Sequence, residues 1–190
     1  MNHPQVNIFI KNKTLLKVST TTRICLTGFM GSGKSTVGKK LAHRLNYHFV
    51  DLDDAITDFT AQSITDLFNV KGEEVFRRIE SQILEEVLND SKNSVISLGG
   101  GTVCFGTNLS LIKSKAILVY LELPPKALFN RLVNAKSSRP LLANLSDNEL
   151  ELYIQTKLSE RESFYKQAHF TINGLSLNVD DILRTINCQV

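Results

Sequence analysis

The chain has 190 residues, 42% of them hydrophobic, and a formal net charge of +3 at pH 7. This length supports one well-buried core and is short for two, so we expect one catalytic or binding domain. The mild charge indicates neither a nucleic-acid nor a membrane-surface partner. No apolar run approaches the roughly 18 residues that a membrane span requires.

The cysteines and the first residues of the chain favour a cytoplasmic protein. Cys25, Cys104 and Cys188 are widely spaced and form no C-x-x-C pair, which is typical of free thiols in a reducing compartment. Residues 1–22 contain no acidic residue and lack the apolar region and cleavage site of a signal peptide. We interpret them as an N-terminal extension to a domain at residues 23–190. A transit peptide is a weaker alternative, because this segment has no arginine.

From Arg23 onward, short β-branched runs alternate with longer helical patterns. The clearest helix runs from about Glu73 to Asn89, where apolar residues recur at helical spacing. Ser63 with Asp66 resembles a capping box that begins a shorter helix. This alternation predicts an α/β fold with a parallel sheet and helices on both faces. The predicted strands are residues 23–27, 48–52, 94–98, 116–123 and, more weakly, 169–172.

Residues 134–147, "NAKSSRPLLANLSD", differ from the rest of this pattern. They are polar, lack periodicity and contain a proline, so they predict a long surface loop. Loops of this length in compact domains are usually functional or disordered.

A phosphate-binding motif follows the first strand. Residues Gly28–Ser35, "GFMGSGKS", match G-x-x-x-x-G-K-[ST] between a strand and a helical pattern, which is the context that this motif requires. Its backbone N–H groups and the helix N-terminus can surround a phosphate. Lys34 is predicted to bridge the terminal phosphates and Ser35 to bind Mg²⁺. No N-K-x-D guanine motif follows, so a GTPase is not favoured.

Three carboxylates follow the second strand in "FVDLDDAI". Because ligands bind beyond the carboxyl ends of parallel strands, we expect this cluster to face the phosphate-binding loop. Asp51 could hold a water molecule of the Mg²⁺ shell, and Asp53 could accept a hydrogen bond from an attacking hydroxyl. Asp54 is interpreted as a solvated helix-start residue. A helix cap followed by acidic residues is the alternative for the whole cluster.

Two further patterns suggest an anionic acceptor. In "FRRIE", Arg77 and Glu80 are three residues apart, so the acid can brace the arginine, and a braced arginine can bind a carboxylate through two hydrogen bonds. Arg78 faces elsewhere. After the third strand, the three glycines of "SLGGG" favour a close approach between backbone and ligand. A surface ion pair and a plain tight turn are the alternatives.

Taken together, the motifs resemble those of the shikimate kinases, ATP-dependent enzymes of aromatic amino-acid biosynthesis. The motifs "GFMGSGKSTVG", "DLDD", "FRRIE", "SLGGG", "RPLL" and "RESFY" occur in the family's order and at approximately its spacing, over roughly residues 23–170. The resemblance implies a three-layer P-loop NTPase fold. It also implies a five-stranded parallel sheet in the order 2-3-1-4-5 and a mobile lid at about residues 134–147.

The resemblance also implies a role for each motif residue. The catalytic residues it implies are Lys34, Asp53 and Arg139. Asp53 would act on the 3-hydroxyl of shikimate, and Arg139 of the lid would neutralise charge on the transferring phosphoryl group. Mg²⁺ is assigned to Ser35 and, through water, Asp51. ATP is assigned to Gly31, Ser32, Gly33, Lys34, Ser35, Thr36 and Arg139. Shikimate is assigned to Asp53, Arg77, Gly99, Gly100, Gly101 and Arg161.

The chain departs from the family pattern in places, and other functions stay open. Ser163 stands where the family usually has proline, and residues 172–179 lack the expected Asp and Pro. Arg131 is a candidate to stack on adenine. A related small-metabolite kinase, such as a gluconate kinase, and a non-catalytic nucleotide-binding module are the alternatives. We expect a monomer that binds neither nucleic acid nor membranes.

Overall fold

The computed structural model describes residues 22–135, 142–175 and 177–187. Within these ranges, parallel strands form one sheet in the spatial order β2-β3-β1-β4-β5. The strands are β1 (Arg23–Thr27), β2 (His48–Asp51), β3 (Ser94–Ser97), β4 (Ile117–Glu122) and β5 (Phe170–Asn173). The predicted α/β class and strand order 2-3-1-4-5 are confirmed, and each strand begins and ends within one residue of its prediction.

Helices connect the strands in the alternation that the sequence predicts. They are α1 (Lys34–Leu45), α2 (Leu52–Thr60), α3 (Ile64–Asn89), α4 (Asn108–Lys115), α5 (Pro125–Val133), α6 (Asp147–Tyr165) and α7 (Val179–Asn187), with a 3₁₀ turn at Thr102–Cys104. Over the part of the chain that the structure describes, no helix is both long enough and apolar enough to cross a membrane.

Alternate residues of the central strands pack into two hydrophobic cores, one on each face of the sheet. Cys25 and Leu118 belong to the core that includes residues of α3, α4, α5 and α6. Ile24 and Val119 belong to the core that includes residues of α1 and α7. Strands buried on both faces need continuous apolar runs, which explains why these strands lack a polar-apolar alternation. The packing brings the carboxyl ends of β1, β2 and β3 to one edge of the sheet.

Helix α3 consists of two helical segments that meet at Gly72. The Ser63 hydroxyl accepts a hydrogen bond from the N–H of Asp66 at 3.1 Å and caps the first segment. Gly72 has φ of 80° and ψ of 166°, a conformation that is essentially limited to glycine. The predicted short helix after Ser63 and the longer helix from about Glu73 are therefore both confirmed.

The connection predicted at residues 134–147 lies between α5, which ends at Val133, and α6, which begins at Asp147. Its residues 136–141, which include Arg139, lie outside the described residues. Leu142 is fully buried in the core, so this end of the connection is anchored. A capping box begins α6, in which the side chains and backbone N–H groups of Ser146 and Glu149 bond reciprocally.

Candidate active site

The phosphate-binding motif wraps around its own lysine. Gly31 and Gly33 have positive φ angles of 80° and 97°, which glycine adopts without steric cost. The Lys34 Nζ donates hydrogen bonds to the carbonyl oxygens of Gly28 at 2.9 Å and Phe29 at 3.0 Å. Lys34 is buried, so a positive charge lies within the loop. Ser35 and Thr36 follow at the exposed start of α1. The free backbone N–H groups at this end of the helix favour anions.

Hydroxyl and carboxylate oxygens meet beside this loop. The Ser35 Oγ donates to Asp51 Oδ2 at 2.6 Å and lies 3.2 Å from Ser97 Oγ. Mg²⁺ prefers oxygen ligands and keeps several waters, so one or two protein oxygens beside a nucleotide are a suitable donor set. Asp51 also caps α2, because its Oδ1 accepts the Asp53 N–H at 3.2 Å. The helix-cap alternative for the acidic cluster is therefore confirmed, with Asp51 as the cap and Asp53 and Asp54 in the first turn, and it is compatible with the metal prediction.

Asp53 lies in the first turn of α2, next to the glycine turn that follows β3. A Cβ atom built on Gly99 would lie 3.4 Å from Asp53 Oδ1. The side chain keeps access to solvent, yet protein atoms surround it in the crevice. This desolvation raises the pKa of Asp53 to about 6, and the negative charges of Asp51 and Glu80 add to the shift. A carboxylate with this pKa is suited to proton transfer near neutral pH.

The predicted arginine brace is present in α3 and extends further than predicted. The Arg77 Nη1 donates to Glu80 Oε2 at 2.7 Å. The other oxygen of Glu80 accepts from the Thr102 hydroxyl at 2.6 Å, in a fully buried position. Buried charges persist in proteins when they are paired and hydrogen-bonded, as Glu80 is here. By contrast, Arg78 pairs with Glu74 on the exposed side of the helix, as predicted.

The glycine turn at residues 99–101 lies between two arginines. A Cβ atom on Gly101 would approach Arg77 Nη2 to 2.5 Å, which is closer than real side chains come. A Cβ atom on Gly100 would lie 3.5 Å from Arg161 Nη1, and the Arg161 guanidinium lies over the Phe29 ring at 5.9 Å. Arg77, Arg161 and the turn therefore line one pocket. Asp53 borders this pocket at Gly99.

Arg131 connects the phosphate-binding loop to the segment after β5. Its guanidinium donates to the carbonyl oxygens of Gly31 at 3.2 Å, Ser32 at 3.3 Å and Gly174 at 3.1 Å. Stacking of Arg131 on adenine stays a prediction.

Sequence reasoning missed residues whose partners are distant in the chain. Ser97 and Thr102 lie beside the predicted site residues, and the Tyr165 hydroxyl donates to the carbonyl oxygen of Gly100. The final tyrosine of "RESFY" was the only available signal for Tyr165, and it indicates no partner by itself. Arg161 was found through the resemblance alone, since its own spacing suggests a solvated helix face.

These features define a class of protein. The site combines a phosphate-binding loop with a buried lysine, a hydroxyl and carboxylate pair suited to a divalent cation, and a carboxylate at the adjacent strand end. P-loop phosphotransferases have such a set of groups. The arginine-lined pocket beside Asp53 fits a small acceptor that carries a negative charge. Fold and site therefore indicate a P-loop kinase of a small anionic metabolite.

Comparisons with known proteins narrow this class to one family. A family model described as shikimate kinase matches residues 30–187. A shikimate kinase of Azobacteroides pseudotrichonymphae genomovar. CFP2 is 42% identical over 164 residues, which cover 86% of this chain and 96% of that relative. One of Bacteroides fragilis (strain YCH46) is 42% identical over 148 residues, which cover 78% and 82% respectively. The chain belongs to the shikimate kinase family, and it is an ATP-dependent kinase.

Solved structures agree with this assignment. The 1.7 Å crystal structure of shikimate kinase from Bacteroides thetaiotaomicron has a TM-score of 0.82 and 38% identity, and the match covers 87% of this chain and 98% of that one. Shikimate kinase from Acinetobacter baumannii in complex with shikimate has a TM-score of 0.80 and 32% identity, with 89% and 94% covered. The P-loop fold that the resemblance implies is therefore the fold of solved members of the family.

Proposed function

We propose that the crevice at the carboxyl edge of the sheet transfers the γ-phosphoryl group of ATP to the 3-hydroxyl of shikimate. The observation that carries this proposal is the pocket that Arg77, Arg161 and the glycine turn form beside Asp53. Shikimate has a carboxylate and ring hydroxyls, so it can place its charge against the arginines and one hydroxyl against Asp53. The structural relative from Acinetobacter baumannii that binds shikimate supports the same acceptor.

Asp53 is proposed to orient the acceptor and to remove its proton. The 3-hydroxyl oxygen forms the new bond to the γ-phosphorus while the bond from that phosphorus to the β,γ-bridging oxygen breaks. The hydroxyl proton passes to Asp53, and the departing electron pair stays on ADP. Because the transition state is loose, alignment and charge neutralisation matter more than a strong base. A carboxylate with a pKa of about 6 is sufficient for this task.

The phosphate-binding loop is proposed to hold ATP through Gly31, Ser32, Gly33, Lys34, Ser35 and Thr36. Lys34 supplies a positive charge to the terminal phosphates. To reach them, its ammonium group gives up its present hydrogen bonds to the loop carbonyls. Mg²⁺ would be held by the Ser35 hydroxyl and, through water, by Asp51. When bound, the ion neutralises charge on the β- and γ-phosphates.

Arg77, Arg161 and the backbone of Gly99, Gly100 and Gly101 are proposed to bind the shikimate carboxylate. The Glu80 brace fixes the planar fork of Arg77 before substrate arrives. An arginine that is held in place loses less rotational freedom when it binds a carboxylate. The pocket should therefore contribute mainly to acceptor affinity.

The lid at about residues 134–147 is proposed to close over both substrates and to bring Arg139 to the transferring phosphoryl group. Closure would exclude water and suppress ATP hydrolysis. We expect Arg139→Ala to lower kcat far more than it weakens shikimate binding, because its charge acts on the transition state. Steady-state kinetics with both substrates tests this, and an unchanged kcat would remove Arg139 from the mechanism.

The remaining proposals concern the whole chain. We propose that residues 23–190 form the kinase domain and that the protein acts as a cytoplasmic monomer that needs neither nucleic acid nor membrane. The free thiols of Cys25 and Cys104 support a reducing compartment.

Coupled ADP release with MgATP tests the function and its alternatives together. The assay is run with shikimate, with gluconate and without an acceptor. The proposal predicts turnover that depends on shikimate. Turnover with gluconate would favour the related small-metabolite kinase, and acceptor-independent or absent turnover would favour a nucleotide-binding module.

A further inference from the structure

One buried hydroxyl beside the acceptor pocket has no part in the mechanism above. Tyr165 is the last residue of α6 and is fully buried. Its ring stacks on Tyr120 with 5.1 Å between the ring centroids. Its hydroxyl donates to the carbonyl oxygen of Gly100, which lies 65 positions away in the chain. A buried phenol usually has a hydrogen-bond partner, and here that partner is the turn that faces the acceptor.

This hydrogen bond fixes the direction of a backbone donor. The described residues contain no cis peptide bond, and in a planar trans peptide the C=O and the following N–H point in opposite directions. With the carbonyl of Gly100 held toward Tyr165, the N–H of Gly101 points away from Tyr165. Among the described residues, this N–H has no hydrogen-bond acceptor. It is therefore a free donor in the turn between Arg77 and Arg161.

The same hydroxyl interacts with Arg161. Arg161 lies one helical turn before Tyr165 on α6, so both side chains project from the same face. Burial raises the pKa of the Tyr165 hydroxyl, and the Arg161 guanidinium opposes this shift. The hydroxyl therefore keeps its proton at physiological pH and remains a donor to Gly100. Arg161 Nη1 itself lies 3.5 Å from where a Cβ atom on Gly100 would be. The Tyr165 hydroxyl, the Arg161 guanidinium and the Gly100 backbone are therefore adjacent.

We propose that Tyr165 is a positioning residue for the carboxylate of the acceptor. Its hydroxyl sets the orientation of the peptide between Gly100 and Gly101, so that the Gly101 N–H and the Arg161 guanidinium are ready for one anion. Tyr165 touches neither reacting atom, and its effect passes through the turn and the arginine. This inference rests on the proposed function and adds to it a residue that sets acceptor affinity.

Tyr165→Phe tests the inference because it removes one oxygen atom and keeps the stacked ring. We expect KM for shikimate to rise about fivefold to tenfold, in the upper range of one lost hydrogen bond between neutral groups, with kcat and KM for MgATP changed less than twofold. Tyr120→Phe is the matched control. It removes the hydroxyl of the other ring in the stack, and no hydrogen bond recorded among the described residues joins that hydroxyl to the turn.

A second measurement separates positioning from general loosening. Shikimate methyl ester lacks the carboxylate charge, so wild type should bind shikimate more tightly than the ester in calorimetric titrations. Tyr165→Phe should reduce this preference by the same fivefold to tenfold, and Tyr120→Phe should leave it unchanged. An unchanged preference in Tyr165→Phe would overturn the inference. So would equal increases in both KM values, or equal effects of the two substitutions.

The two proposals fail in different ways. If wild type shows no turnover that depends on shikimate, the proposed function is wrong and the inference fails with it. If wild type is active and Tyr165→Phe matches it within twofold for shikimate, only the positioning role of Tyr165 is wrong.

Discussion

At the scale of single residues, the site places several carboxylates beside Asp53. Desolvation is the main cause of the raised pKa of Asp53, and Asp51 and Glu80 contribute through their charges. Lys34 opposes them. Functional sites often contain such perturbed groups because catalysis needs a proton acceptor near the working pH. The protonation state of Asp53 therefore links the structure to a measurable pH dependence.

We predict that kcat/KM for shikimate decreases as the pH falls through about 6, where Asp53 becomes protonated. The decrease should approach about tenfold per pH unit below that value, as expected for one essential base. Asp53→Asn should lose turnover, and Asp54→Asn, a change at the neighbouring residue in the same helical turn, should stay active. Its profile should shift only slightly to lower pH, because Asp54 makes the smallest contribution to the raised pKa of Asp53. A flat profile between about pH 5 and 7 would contradict the assigned role.

The same pKa predicts a change in stability. A carboxyl whose pKa is raised by folding stabilises the native state most below its unfolded pKa, and this contribution is lost as the pH rises through about 6. Asp53→Asn should therefore raise the thermal midpoint at pH 8 relative to wild type. The difference should disappear near pH 4. Thermal unfolding at the two pH values measures it, and a lower midpoint at pH 8 would contradict the desolvated carboxylate.

Arg77 and Arg78 are adjacent in sequence and provide a matched pair. Arg77 is braced by Glu80 in the pocket, whereas Arg78 pairs with Glu74 in solvent. Arg77→Lys keeps the charge and loses the planar fork, so KM for shikimate should rise about tenfold to hundredfold. Arg78→Lys should change it less than twofold, because exposed pairs contribute little. Similar effects of both substitutions on shikimate kinetics would argue against a specific carboxylate site.

Residue contacts were predictable from the sequence where the partners are close in the chain or where both follow a strand end, as Asp51 and the phosphate-binding loop do. The Arg77–Glu80 pair has the i,i+3 spacing of a helix face, so the pattern predicted it. Ser35 with Ser97 and Tyr165 with Gly100 are 62 and 65 positions apart. Nothing in the local sequence specifies such pairs, because they form only when the strands assemble.

At the scale of elements, the glycine turn after β3 is the part of the fold on which the acceptor pocket depends most. Gly101 has an ordinary backbone conformation, with φ of −106° and ψ of −8°, so glycine is needed there for space and not for backbone freedom. The space is taken by the Arg77 guanidinium. The strands and helices themselves were predictable from their apolar periodicity. The function of the turn required the resemblance in addition.

We predict that Gly101→Ala raises KM for shikimate at least about tenfold and leaves the thermal midpoint within a few degrees of wild type. The new Cβ would lie 2.5 Å from Arg77 Nη2 and displace a side chain end that Glu80 holds. The Cβ meets Nη2, whereas Glu80 is held by Nη1 and by the Thr102 hydroxyl, so the ion pair can persist while the displaced fork loses the geometry of its charge-assisted bonds to a carboxylate. Gly100→Ala is the milder comparison, because its Cβ meets atoms no closer than 3.5 Å. If Gly101→Ala binds shikimate normally, Arg77 is not the carboxylate ligand.

At the scale of the whole molecule, the described chain is one sheet with a core on each face, and the site lies where three strand ends meet. The alternating pattern predicted the parallel sheet, whereas the strand order 2-3-1-4-5 came from the resemblance, since spacing along the chain does not specify order. Thr22 already joins the fold. Its N–H donates to Asn93 Oδ1 at 2.7 Å, and its carbonyl accepts from the Ser94 N–H at 3.1 Å.

The domain proposal therefore predicts that a chain beginning with an initiator Met before Thr22 keeps the wild-type kcat and both KM values within about twofold. Every residue assigned to the site lies after this point. Full-length protein and the shortened chain are compared in the same assay, with thermal unfolding as the control for folding. A large loss of activity in a folded shortened chain would assign a catalytic or regulatory role to residues 1–21.

The most direct test of the account is to identify the product formed from MgATP and shikimate by NMR, with wild type and Asp53→Asn in parallel. The account predicts that wild type converts shikimate to a monophosphate at the 3-hydroxyl with one ADP per product, and that Asp53→Asn forms none at a comparable enzyme concentration. A phosphate on another hydroxyl, or equal product formation by Asp53→Asn, would contradict the placement of the acceptor hydroxyl at Asp53.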